Sequence, residues 1–497
     1  MKLPRLLAAV ESRAHSASPA ILDRDQVWSY RQLVALAEEF ASHLVLQDLP
    51  SGCRVAAVAR NSAETIALML ALGKQGHTVL AISPGLGAEI RKTLYDENAI
   101  FCELGAGLSD DRAVLERAPY ANGTSQAASG AQAAQDCPLM LTTSGSTGIP
   151  KVVALSAAGI DAFIDWSSRY FGIGEQTRVL NYSPLNFDLT LLEVWTPLAV
   201  GGCAVVCNPN KIADAQYLSG LIDSAQPHIV QAVPMFFGLL SLGLASREGG
   251  VPPFAPADII LTGDTVPLHT RKELAAVYPN ASFHNIYGCT ETNDSFVHTC
   301  DAAEVASLDT LPIGVPIDGT AYRVVGADGL DLEGAGEGLL HVSTPFLSHG
   351  YTRPALNDGV FYRREDRYAS LRYYVTGDRV RREEDGRLYL RGRDDFVVKV
   401  RGVRTNLQDI ERVILDYPHV RNAIVLGKPH EIYGSVLVAV IEAEAGQPLD
   451  AFRLRTYCSE KLPRTSIPTR FQILDQPLPT TSTGKPDRKK VAASLQM

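Results

Sequence analysis

Between Leu141 and Val153 the chain reads LTTSGSTGIPKVV, a run that places hydroxyls, unhindered glycine backbone and one lysine within the span of a phosphate group. Gly145 and Gly148 let the backbone come close to an anion, Thr142, Thr143, Ser144, Ser146 and Thr147 offer donors, and Lys151 adds a mobile positive charge. The spacing departs from the Walker pattern, which requires Gly, four residues, then Gly-Lys-Ser/Thr. A flexible Ser/Gly linker is the bland alternative. Against it, the apolar residues Leu139-Met140-Leu141 lead into the run and Val152-Val153-Ala154-Leu155 leave it, as expected of a loop held between two strands.

Other stretches carry single residues that could serve the same chemistry. Asp188 stands in NFDLTLLE, Glu291 in NIYGCTET, Asp378 in YVTGD and Lys485 in STGKPDRKK. Each has an ordinary reading: Asp188 as a cap of the helix read at Leu189 to Gly201, Glu291 as a helix-start carboxylate, Asp378 as a turn residue after Gly377, and Lys485 as a solvated lysine like Lys489 and Lys490.

The elements that must position these residues alternate. An amphipathic helix fits Trp28 to Leu44, a strand begins at Arg54 to Val58, a helix covers Ser62 to Gly76, and Thr78 to Ile82 is a strand ending at Pro84-Gly85. Gly105 to Asp136, rich in Ala, Ser, Gly and Gln, reads as a surface connection into the glycine loop. Strands follow at Val179 to Ser183, Ala204 to Val206, Ile229 to Val233 and Asp258 to Leu261. The alternation implies an α/β fold with parallel strands and crossover helices, binding ligands at one sheet edge. Near Leu339 the pattern turns to apolar–polar alternation, expected of an antiparallel β subdomain. From Phe396 the tail reads strand, helix (Asn406 to Leu415), two strands (Asn422 to Leu426, Val436 to Glu442) and helix (Leu449 to Leu462). This places a large N-terminal domain at 1–395 and a small mobile α+β domain at 396–497.

Composition bounds the partners. A chain of 497 residues with net charge −9 offers no general attraction to nucleic acid or to an anionic membrane, so phosphate binding must be local. The N-terminal MKLPRLLAAVESRAHS is too short to span a bilayer and too charged for a secretory signal, and reads as a first amphipathic helix. The eight cysteines show no CxxC pairing, which argues against structural zinc and suits a reducing cytoplasm.

In their order and spacing, Trp28 to Leu44, the glycine loop, NFDLTLLE, NIYGCTET, YVTGD, GRDDFVVKVRG (Gly392 to Gly402) and STGKPDRKK resemble the adenylate-forming superfamily over nearly the whole chain. Within it the chain is most similar to the amino-acid-activating adenylation enzymes of nonribosomal peptide synthesis. Two departures are Ile82-Ser83-Pro84-Gly85, unlike the usual segment, and Cys289, where proline is common. The resemblance implies two half-reactions: a carboxylate attacks the α-phosphate of ATP, releasing pyrophosphate, and a pantetheine thiol then takes the acyl group. Because two anions meet, that transition state calls for cations and donors rather than a protein nucleophile.

The resemblance also assigns roles. Lys485 reaches the substrate carboxylate and α-phosphate, Thr290 bonds the α-phosphate, and Glu291 holds Mg2+. Tyr287 lies against adenine, with Asn285 and the Gly263-Asp264 turn at its edge. Asp378 takes the ribose hydroxyls, assisted by Arg393. Asp395 is the hinge whose rotation would exchange Lys485 for Lys399, which could equally be an ordinary strand-edge lysine. Asp188 meets the substrate's α-ammonium, and Leu189, Leu192, Ala232, Ile260, Thr262 and Ile286 line the side-chain pocket, Ala232 being placed to about one residue. Asp294 could cap its own turn or pair with a hydroxyl or cation. GCTETNDSF resembles the corresponding run of free-standing prolyl carrier-protein ligases, making proline the leading substrate. The chain stops soon after Lys485, as expected of a ligase that must find a separate phosphopantetheinylated carrier protein. An acyl-CoA ligase for a small acid and a non-catalytic nucleotide-binding protein are the alternatives.

Overall fold

The computed structural model describes residues 4–24, 26–45, 48–109, 112–118, 136–143, 150–246, 252–266, 268–365, 370–393, 397–415, 417–430, 434–443, 448–474, 476–479 and 488–495. The chain divides into two compact units. One comprises Met1–Pro84, Tyr95–Thr142 and Val152–Gly392, and the other Gly85–Leu94, Thr143–Lys151 and Arg393–Met497.

The first unit holds a nine-stranded sheet with Arg178–Asn181 and Ile229–Ala232 at its centre. Pairing is parallel from Pro19–Asp23 through Cys203–Val206, Arg178–Asn181, Ile229–Ala232 and Asp258–Thr262 to Ser282–Cys289. It turns antiparallel at both margins, where Gln26–Ser29 and Asn293–Cys300 join. The apolar alternation explains the two layers that cover it. On Ile229–Ala232, Ile229 packs into one apolar cluster and its neighbour Val230 into the other, because successive strand side chains leave opposite faces. Phe236, Phe237 and Leu240 of the helix Pro234–Ala245 fill the second cluster. Each such side chain contributes about 1.5–3 kcal/mol when fully buried.

A seven-stranded sheet in this unit carries the strands that flank the glycine loop. Leu139–Thr143 and Lys151–Leu155 are neighbours in it, with Thr78–Ile82 beyond the first and Gly350–Tyr351 beyond the second. The helix Ala63–Lys74 is buried nearly all round, as its continuous apolar sequence requires, and Ser62 caps it by accepting from the Thr65 amide. A five-stranded antiparallel sheet, built around Gly336–Ser343 and Ser370–Arg382, answers to the change of pattern near Leu339. The second unit includes the antiparallel pair Val420–His430 and Gly434–Ala443, packed by Leu407–Leu415 and Ala451–Lys461.

Several expected bounds shift. Trp28 belongs to the strand Gln26–Ser29 and the helix begins at Tyr30. Part of the stretch read as a surface connection forms a strand pair, Ile100–Ser109 with Arg112–Ala118, despite its alanine and glycine. The segment Leu189 to Gly201 is a π-helical turn, Leu191–Trp195, followed by a short α-helix, Thr196–Val200, closed by Gly201 at φ 91°. Among the described residues no helix is long and apolar enough to cross a membrane. None of the eight cysteines is in a disulfide.

Candidate active site

Thr290, Glu291 and Thr292 form the tight turn between the antiparallel strands Ser282–Cys289 and Asn293–Cys300, so Glu291 does not start a helix. Asn293 takes the left-handed conformation that closes the turn, at φ 52°. Glu291 is buried, and Tyr351 Oη donates to its Oε1 at 2.6 Å. Its backbone carbonyl accepts from the Ser348 amide at 2.9 Å. Glu291 Oε2 is buried with no hydrogen-bond partner among the described residues. One aimed carboxylate oxygen suits Mg2+, which takes one or two carboxylates and completes its shell with water and substrate phosphates.

Tyr287, in the strand before this turn, donates through Oη to Asp378 Oδ2 at 2.5 Å. Burial, with Asp378 beside it, pushes the phenol well above its ordinary range and keeps it a donor. Asp378 is not in a chain-reversing turn; it sits within the strand Ser370–Arg382. There Leu339 pairs with Arg379 and His341 with Val375, so a step of two residues on one strand faces a step of four on the other. The bulge contains Gly377 at φ 73°, a conformation glycine adopts freely, and it lets the buried Asp378 turn toward Tyr287. Thr376 Oγ1 accepts from the Asp378 amide at 3.0 Å and donates to the Leu340 carbonyl at 2.8 Å.

Asn285 Nδ2 donates to the Pro312 carbonyl at 2.7 Å, and Thr262 Oγ1 to the Ile286 carbonyl at 3.2 Å. Gly263 ends the strand Asp258–Thr262 at φ 83°, and Asp264 accepts from the Thr265 amide at 2.8 Å. At the glycine loop the structure places Thr143 at the end of one strand and Lys151 at the start of the next. Ser144, Gly145, Ser146, Thr147 and Gly148 lie outside the described residues, as do Asp395 and Lys485. Arg393 ends the strand Leu388–Arg393, and Lys399 lies in Val397–Val400, paired with Val403–Asn406.

The residues expected to line a substrate side chain fall on both faces of the nine-stranded sheet. Leu192, Ile260 and Ile286 belong to one apolar cluster. Ala232 belongs to the cluster on the opposite face of the sheet. A step of one residue along a strand reverses the face, so the residue on the Ile260 side is Gln231, which pairs with Ile260 in register. Gln231 is buried, its Nε2 donates to the Leu189 carbonyl at 3.2 Å, and its Oε1 has no partner among the described residues. A lone polar residue in the buried strand IVQA was the sequence signal for it.

Asp188 is half-buried and lies before Thr190, the N-cap of the π turn, which makes no side-chain capping bond. Asp294 is buried close enough to Asp188 to feel its charge; burial first, then Asp188, pushes the Asp294 carboxyl up to about 8. Among the described residues no group of three or more His, Cys, Asp or Glu gathers to hold a metal.

This geometry has a family. The sequence matches the AMP-binding enzyme family over residues 9–352 and the AMP-binding enzyme C-terminal domain over residues 409–485. The chain belongs to the AMP-binding enzyme family. It is an adenylate-forming ligase, of the α/β architecture with a large N-terminal and a smaller C-terminal domain seen in adenylation-domain structures, and ATP is the family's nucleotide. It is 28% identical over 509 residues to an L-proline–[L-prolyl-carrier protein] ligase of Pseudomonas fluorescens, covering 96% of each chain. A D-alanine–D-alanyl carrier protein ligase of Bacillus velezensis is 28% identical over 365 residues, 72% of this chain and 70% of the relative. The structure of holo-PA1221, a protein containing adenylation and PCP domains, superposes with TM-score 0.80 at 26% identity, covering 98% of this chain and 84% of that one.

Proposed function

We propose that the protein activates a small α-amino acid as its aminoacyl-adenylate, releasing pyrophosphate, and passes it to the phosphopantetheine thiol of a separate carrier protein. The observation that carries this reading is Asp188, a half-buried carboxylate close enough to the buried Asp294 to act on its charge, in a chain whose Leu192, Ile260 and Ile286 share one apolar cluster. A carboxylate at this position offers a negative charge that the α-ammonium of an amino acid can meet, and its counterpart charge is what a simple acid lacks. A CoA ligase for a simple acid has no use for it. L-Proline is the leading substrate, supported by that apolar cluster and by the prolyl-carrier protein ligase relative. A second reading comes from Asp294: a buried carboxyl that burial and Asp188 push up to about 8 suits a side chain with a hydroxyl group.

In this scheme Tyr287 holds Asp378 to receive the ribose hydroxyls, and Thr290 offers its hydroxyl to the α-phosphate. Glu291 Oε2 is the protein ligand that would hold Mg2+, which when bound neutralises phosphate charge. The loop from Thr143 to Lys151 grips the phosphates, Lys485 meets the substrate carboxylate and α-phosphate, and Asp395 is the hinge between domains 1–395 and 396–497. The test is ATP–pyrophosphate exchange across a panel of amino acids and their deaminated analogues. Exchange restricted to one or a few small amino acids supports the reading. Equal exchange with the deaminated acids would move the protein to the CoA-ligase branch.

A further inference from the structure

The segment Pro184 to Leu192, which carries Asp188 and Leu189, leaves the central strand Arg178–Asn181 and returns into the π turn. Its two ends are tied together by Glu193. Glu193 Oε1 accepts from Ser183 Oγ at 2.7 Å, and Oε2 accepts from the Ser183 amide at 3.0 Å and from Asn181 Nδ2 at 2.7 Å. Gln231 Nε2 adds a longer contact to Oε1 at 3.4 Å while donating to the Leu189 carbonyl at 3.2 Å. Asn61 holds the first part of the excursion: its Nδ2 donates to the Ser183 carbonyl at 2.9 Å and its Oδ1 accepts from the Leu185 amide at 3.1 Å. The Ser183 amide, Asn181 Nδ2 and Gln231 Nε2 meet the Glu193 carboxyl as donors, and these bonds oppose the burial that pushes it up to about 7.

Such a group is not placed for stability alone. A fully buried carboxylate loses more by leaving water than an apolar side chain of the same volume would, and packing alone would favour the apolar one. What the carboxylate can do, and an apolar residue cannot, is fix two strands of chain and a bridging amide in one geometry. The π turn in which it sits has a widened backbone of the kind found at functional sites.

We infer that Glu193, bridged through Gln231 to the Leu189 carbonyl, is the positioning residue that sets Asp188 for the substrate ammonium. Neither residue needs to touch substrate to do this. The staple fixes the carbonyl of Leu189, the residue directly after Asp188, and so limits where the Asp188 carboxylate can stand. The inference rests on the proposed ammonium role of Asp188.

Glu193→Gln tests it with almost no change of shape, since the new amide turns an NH2 toward donors that previously met an oxygen. In ATP–pyrophosphate exchange the preference for the best amino acid over its deaminated analogue should fall at least ~10-fold, with KM for the amino acid raised and KM for ATP within ~3-fold of the parent. Ser183→Ala and Gln231→Ala, each removing one donor, should move the same ratio in the same direction by less, and either serves if Glu193→Gln does not fold. In the Asp188→Ala background Glu193→Gln should lower the ratio no further, because a residue acting through Asp188 has nothing left to position. A fall in melting temperature with the ratio unchanged, or full additivity with Asp188→Ala, would overturn the inference. Failure of the underlying reading is distinguishable, since the parent protein would then show no preference for the amino acid at all.

Discussion

Removing one hydroxyl should weaken metal use without dismantling the fold. Tyr351 lies in the two-residue strand Gly350–Tyr351, and its register with Val153 on the strand that leaves the glycine loop holds its backbone independently of its side chain. Its phenol is buried, and burial with Glu291 beside it pushes the proton affinity well up, so the group stays a donor. Tyr351→Phe removes the 2.6 Å hydrogen bond that fixes Oε1 of Glu291 and thereby aims Oε2. A hydrogen bond to a charged carboxylate contributes about 1.5–3 kcal/mol, and partners that orient a metal ligand typically change metal affinity by ~10–100-fold. Mg2+ titration of pyrophosphate exchange at saturating ATP and amino acid should show half-maximal activity at ~10-fold higher Mg2+, with maximal activity largely recovered. Thermal unfolding without nucleotide supplies the control, with a modest loss expected. If the Mg2+ dependence of the variant overlays the parent's, Tyr351 does not orient a metal ligand and the assignment of Glu291 falls with it.

Other perturbations probe separate parts of the site. The Asp294 carboxyl, pushed up to about 8 from a reference of 3.8, binds its proton more tightly folded than unfolded, so stability is greatest below pH ~4 for this group and declines toward pH ~8 by up to about 1.4 kcal/mol per pH unit. Asp294→Asn should therefore gain melting temperature over the parent, with the gain larger at pH 8 than at pH 5; a constant difference would remove the buried, protonated carboxyl. Gly377→Ala forces a side chain into φ 73°, costing about 1–2 kcal/mol and disturbing the bulge that aims Asp378. KM for ATP should rise more than KM for the amino acid, and equal rises would detach Asp378 from the nucleotide. Lys485→Ala should slow adenylate formation by several orders of magnitude, since it removes a cation where two anions meet, while transfer from a supplied aminoacyl-adenylate to the carrier survives. Single-turnover kinetics separates the two steps, and equal loss of both would contradict rotation about Asp395.

How far the molecule could be read from its residues depended on the range of the forces involved. The parallel strands and the helices between them were legible because their signal is local periodicity, as at Arg54–Val58, Thr78–Ile82 and Ile229–Ala232. The strands on either side of the glycine loop were legible for the same reason. The pair Ile100–Ser109 and Arg112–Ala118 was not, because its alanine and glycine carry little strand preference and the pairing itself supplies the stability. Gln231 was not legible because a one-residue uncertainty on a strand exchanges one face for the other, and Ala232 packs in the cluster opposite to that of Ile260. The Glu193 network was invisible for a deeper reason. Its partners Asn181, Ser183 and Gln231, with Asn61 behind them, come from separate strands and loops, and only the folded chain brings their donors to one carboxylate. The bulge at Gly377 likewise converts a sequence that reads as a turn into a strand presenting Asp378.

The central claim is that a substrate carboxylate attacks the α-phosphate of ATP, and isotope transfer tests it without reference to any variant. The protein is incubated with ATP, Mg2+, pyrophosphatase, the preferred amino acid labelled with heavy oxygen in its carboxylate, and a thiol acceptor, and the nucleotide product is weighed by mass spectrometry. Attack by the carboxylate predicts AMP carrying one heavy oxygen from the amino acid, with the released pyrophosphate cleaved to two phosphates by the pyrophosphatase. ADP as the product, or AMP without the label, would contradict the account.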